Sequence, residues 1–83
     1  MRLPRDLSGA DLVKRLERLG YKVSRQTGSH LRLTCDEPRQ HHLTIPNHDP
    51  LSVGTLAAIL TDIAEHRRLT RDELLRQLLR DKG

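Results

Sequence analysis

Gly28-Ser29-His30 places a histidine directly after turn residues and at the start of an alternating stretch, with Arg25 and Arg32 on either side. An imidazole titrates near neutrality, so it can carry the protons that phosphodiester cleavage moves, at a 2′-hydroxyl or at a leaving oxygen. Guanidinium groups beside it can meet the negative charge on phosphate. From spacing alone the plainer reading has the advantage: a solvated strand histidine after an ordinary turn, since such residues far outnumber catalytic ones.

Four other histidines compete for a role. His48 lies in Ile45-Pro46-Asn47-His48, where it can act as a second acid or base or simply shape the loop that ends a strand. His41 and His42 are neighbours on a predicted strand and so point to opposite faces, with His42 the better placed to join His30. His66 and Cys35 raise the question of zinc, which needs three or four convergent ligands. No such convergence is apparent: Cys35 shares an apolar face with Leu31 and Leu33, and His66 is far away in sequence. The expectation is a site without metal or cofactor. Two-metal nucleases hold their ions with clustered carboxylates, whereas Asp11, Glu17, Asp36, Glu37 and Asp49 fall on a helix surface or in turns.

The elements that must position these residues can be read from periodicity. Ser8 is a helix cap in front of Leu12, Val13, Leu16 and Leu19, which share one face, with Asp11 in the first turn and Gly20 beyond the end. Tyr21 to Gln26 reads as a strand, Thr27-Gly28-Ser29 as a turn, and His30 to Cys35 as a clearly alternating strand. Asp36-Glu37-Pro38-Arg39 breaks the pattern, His41 to Ile45 resumes it, and Pro46 ends it. Asn47 to Ser52 is a loop, and Leu56, Ile59, Leu60 and Ile63 then recur at helical spacing. Gly54-Thr55-Leu56 opens that helix, as a helix start with a packing glycine more readily than as a phosphate cradle. Thr70-Arg71-Asp72-Glu73 matches a capping box before Leu74, Leu75, Leu78 and Leu79, which predicts a short terminal helix over about 71–80. Arg67, Arg68 and Arg71 form a basic cluster beside it, open to RNA, to acidic groups of a partner or to water.

The predicted order is helix, three antiparallel strands, helix, short helix: an α+β sandwich with both main helices on one sheet face. Leu12, Leu16, Leu33, Ile45, Leu56 and Ile63 should share its core. The other face stays open and carries His30, Arg32, Thr34, His42 and Thr44. A single domain over 1–83 is expected, with its core over about 8–65.

Composition narrows the partners. Fifteen Lys and Arg against eleven Asp and Glu give a formal charge of +4, which suits a polyanion or an acidic protein. With no Phe, no Trp and only Tyr21, base-stacking folds of the RRM or OB type are poor candidates, and contacts to RNA would rest on cations, sugar hydrogen bonds and shape. A single cysteine is expected to exclude an internal disulfide and a structural thiolate zinc site, no apolar run resembles a signal peptide or a membrane span, and the chain reads as cytoplasmic.

Arg25 with Gly28-Ser29-His30, then Ile45-Pro46-Asn47-His48, then Gly54-Thr55-Leu56 with Ile59-Leu60, in that order, resemble the HicA toxin family from about Ser8 onward. The resemblance implies a fold like a double-stranded-RNA-binding domain, an endoribonuclease that cleaves mRNA, neutralisation by a HicB-type antitoxin, and a catalytic role for His30. It reverses the weight on that residue. Gly28, Ser29, Arg25, Arg32, His42 and His48 are then expected to support catalysis or bind RNA. Two other readings stay open. A passive double-stranded-RNA-binding module has the same element order, but it would place lysines at the start of its last main helix, where this chain has Leu51-Ser52-Val53-Gly54-Thr55. An inactive interaction domain would not need Gly28-Ser29-His30.

Overall fold

The computed structural model describes residues 3–37 and 39–79. The Ser8 side chain accepts the Asp11 N–H at 3.0 Å and so caps α1 (Gly9–Glu17), which buries Leu12, Val13 and Leu16. Gly20 follows with φ 97°, a left-handed conformation that lets the chain leave the helix and enter the sheet. The sheet comprises β1 (Lys22–Thr27), β2 (His30–Cys35) and β3 (His41–Pro46), antiparallel and in the order β1-β2-β3. Two helices complete the fold, α2 (Val53–Arg67) and α3 (Arg71–Leu79).

Leu31, Leu33 and Cys35 of β2 and Leu43 and Ile45 of β3 all point to one face. They are buried there with Leu12 and Leu16 of α1 and Leu56, Leu60 and Ile63 of α2, so both main helices cover that face, and the six expected core residues lie in one cluster. Among the described residues, the buried set contains no polar or charged residue.

β1 forms one residue later than the strand expected over Tyr21–Gln26 and shows no alternation in burial. Tyr21 is buried but precedes the strand, and every residue of β1 is exposed, Val23 to 42 %. The strand lies at a sheet edge, and its ladder shifts register between Val23 and Arg25, the mark of a bulge. Pro46 closes β3 from within; β3 is the other edge, where a missing N–H costs no ladder bond.

The terminal helix is more than an appendage. Leu74, Leu75 and Leu78 are at most 2 % exposed, α3 packs on both α1 and α2, and Arg15 Nη1 donates to the Leu78 carbonyl at 2.9 Å. Its start is the reciprocal capping box: the Thr70 N–H donates to Glu73 Oε1 at 2.8 Å and the Glu73 N–H to Thr70 Oγ1 at 3.1 Å. The helix runs to Leu79, and the expected extension to residue 80 falls outside the described residues.

Candidate active site on the open sheet face

Thr27 and His30 close the β1–β2 hairpin around the two residues Gly28 and Ser29. Gly28 has φ 53° at the first central position, the place where a type II′ turn requires glycine. The turn therefore fixes where β2 begins, and His30 is its first residue. Pairing then places its neighbours. His30 lies opposite Thr27 on β1 and Pro46 on β3, and Arg32 lies opposite Arg25 and Thr44. Directly opposed residues share a sheet face, so His30, Arg32, Arg25, Thr27 and Thr44 form one exposed patch away from the core.

The electrostatics of the patch follow from this register. Arg25 and Arg32 are cross-strand partners, and like charges so placed repel each other. Among the described residues neither guanidinium has an ion-pair partner. An anion seated between them relieves the repulsion, and His30 is one alternate position along β2 from Arg32. No acidic residue belongs to any strand.

The far half of the same face is polar and internally bonded. Ser24 Oγ is 3.1 Å from Thr34 Oγ1, which is 2.9 Å from His42 Nδ1. His42 pairs with Thr34, whereas His30 pairs with Pro46. Four residues of strand, about 13 Å at roughly 3.3 Å per residue, separate the two histidines along the sheet. His42 thus shares the face of His30 but not its position.

Backbone contacts tie the loop after β3 to the turn. The Asn47 N–H donates to the Ser29 carbonyl at 2.7 Å, the Gly9 N–H to the His48 carbonyl at 2.9 Å, and the Leu51 N–H to the Leu7 carbonyl at 2.8 Å. Gly9 is required here: a Cβ on it would collide with the Pro46 carbonyl. His48 is exposed in this loop, and the contact that fixes it is made by its backbone. Gly54, expected to be a packing glycine, is exposed with open space around it. Ser52 caps α2 instead, accepting the Thr55 N–H at 3.1 Å.

Of the basic cluster, Arg67 is turned inward. It donates to the Leu19 carbonyl in the turn after α1 and lies 5.7 Å from the centre of the Tyr21 ring. Arg68 is the left-handed C-cap of α2, with φ 57°.

The fold also assembles a group that sequence separation concealed. Cys35, His41 and His66 bring one ligating atom each to within 4.8 Å of one another. Cys35 and His41 are paired across β2 and β3, and His66 in the last turn of α2 stacks on His41. The Tyr21 hydroxyl lies 2.7 Å from His41 Nδ1. Burial first, then the neighbouring Cys35, raises the Tyr21 pKa well above the usual phenol range. Burial, reinforced by nearby cationic groups, lowers that of His66. Alternation did place Cys35 inward, but nothing in the sequence joined it to a residue 31 positions later.

No helix among the described residues is long and apolar enough to cross a membrane. A family model described as the HicA toxin of bacterial toxin–antitoxin systems matches residues 9–64. No curated protein and no solved structure matches the chain.

Proposed function

The chain belongs to the HicA toxin family of bacterial toxin–antitoxin systems, and from that premise we propose that it is an endoribonuclease. In this reading it acts in the cytoplasm, cuts mRNA with His30 and is held inactive by a HicB-type antitoxin. The observation that carries the reading is the position of His30 at the head of β2, beside Arg25 and Arg32, which have no ion-pair partner among the described residues, on the exposed sheet face. A scissile phosphate seated against Arg32 and Arg25 has its charge met by two guanidinium groups.

His30 moves a proton at the ribose 2′-hydroxyl or at the departing 5′-oxygen. The 2′-oxygen bonds to phosphorus as the bond to the 5′-oxygen breaks, leaving a 2′,3′-cyclic phosphate and a 5′-hydroxyl. The proton lost by the 2′-hydroxyl is balanced by the one gained at the 5′-oxygen. This chemistry needs no metal ion, in keeping with strands that carry no carboxylate. Ser29 and Gly28 hold His30 in place through the turn, and His48 acts through the backbone of its loop.

The test is an RNA cut by the purified chain, mapped, and resynthesised with 2′-deoxyribose at the cleavage position alone. The deoxy substrate should remain whole. Its cleavage at the same position would exclude the ribose nucleophile.

A further inference from the structure

Cys35, His41 and His66 sit at the opposite end of β2 from His30, five residues or about 16 Å along the strand. The cluster takes no part in the chemistry proposed above, yet its outer partner is that of a metal site. His41 Nε2 lies 3.3 Å from Asp62 Oδ1. A carboxylate behind an imidazole fixes its tautomer and orientation, as it does behind metal-bound histidines. His66 Nε2 is buried and has no hydrogen-bond partner among the described residues. A buried polar nitrogen left without a partner is a cost that a cation would remove.

We propose that Cys35, His41 and His66 bind one zinc ion, which joins the β2–β3 end of the sheet to the last turn of α2. One thiolate and two neutral imidazoles suit this borderline-soft cation. Asp62 lies against His41 Nε2, which leaves Nδ1, now 2.7 Å from the Tyr21 hydroxyl, as the nitrogen that can exchange its partner for a cation. His41 then ligates through Nδ1, with Asp62 behind it, and His66 through its unpartnered Nε2. Zn–S near 2.3 Å and Zn–N near 2.0 Å imply ligand separations of about 3.5 Å, so the three atoms must draw in from separations of up to 4.8 Å. The rings are now stacked, with centroids 4.1 Å apart and planes 12° from parallel. Two ligands of one tetrahedral ion converge instead, so binding opens the stack by turning the His66 side chain. The Cys35 thiol, which now donates to the Glu37 carbonyl at 3.5 Å, gives its proton to solvent. The Tyr21 hydroxyl leaves Nδ1 and donates to the thiolate, and the fourth coordination position takes water.

The experiment strips the full chain of metal with a chelator, removes the chelator, and titrates Zn²⁺ and then Co²⁺ against a competing chromophoric chelator. The expected result is one ion per chain, a raised thermal midpoint, and a thiolate-to-cobalt charge-transfer band in the near ultraviolet. Cys35→Ala and His66→Gln should each abolish stoichiometric binding and the band. His66→Gln keeps the reading decisive if the cysteine variant fails to fold. His42→Gln and His48→Gln should bind as the wild type does. Asp62→Asn should weaken zinc by about 10- to 100-fold while preserving the band, as loss of an orienting carboxylate does. The proposal is overturned if no ion binds stoichiometrically, or if binding persists in His66→Gln or in folded Cys35→Ala. Metal content and spectrum read the site without reference to RNA cleavage, so either proposal can fail alone.

Discussion

Arg25 and Arg32 are direct partners across the β1–β2 ladder, beside His30. If their shared anion is the scissile phosphate, Arg32→Ala should slow RNA cleavage on the order of 100-fold, the usual effect of losing one group that meets developing charge. Arg25→Ala should slow it less, since Arg25 lies one strand further from His30. His42→Ala is the discriminating control. Its imidazole is about 13 Å along the sheet and bonded to Thr34 at 2.9 Å, so its removal should leave the cleavage rate unchanged. Comparing the rates of the three variants on one RNA checks the placement, and a loss in His42→Ala as large as that in Arg32→Ala would contradict it.

The elements are held by short-range devices that can be tested singly. Thr70→Ala removes one arm of the capping box and should destabilise the fold by about 1 kcal/mol in urea unfolding. The Thr70 backbone N–H and then its hydroxyl hold the Glu73 carboxyl below the usual carboxylate range. A depressed folded-state pKa contributes stability that is complete above the unfolded value and is lost as pH falls through the folded one. The stability gap between wild type and Glu73→Ala should therefore close in acid, and unfolding curves across that range would show whether it does. Gly9→Ala should cost about 1–3 kcal/mol, because its methyl would meet the Pro46 carbonyl and the backbone must move. These features show what was legible in the sequence. Ser8, Gly20, the Thr70–Glu73 box and the alternation of β2 and β3 are local chemistry, and each element formed where that chemistry placed it. β1 forms where it is expected but buries no face, because alternation yields a buried face only where something covers it, and Val23 stays exposed. The Cys35–His41–His66 group was illegible for the opposite reason: its members meet only after the helix docks on the sheet.

At the scale of the molecule, α3 lies beyond the family-matched residues 9–64 and yet completes the core. Leu78→Ala should cost about 2–5 kcal/mol, a large share of the roughly 5–15 kcal/mol that a domain commands. A fall in the urea midpoint of only a surface substitution's size would show α3 to be dispensable. If a neutralising antitoxin acts by covering the site, it occupies the uncovered, cationic sheet face, with carboxylates against Arg25 and Arg32. The purified complex should then cleave RNA far more slowly than the free chain, and equal rates would exclude occlusion of the site. All of this converges on one side chain. His30 is exposed at the head of its strand, so His30→Ala should change folding stability by no more than about 0.5 kcal/mol. The most direct measurement is the rate at which purified, folded His30→Ala cleaves the RNA that the wild type cuts. The account predicts a loss of at least about 100-fold, the lower end of what a positioned proton-transfer group contributes. An undiminished rate would remove His30 from the mechanism.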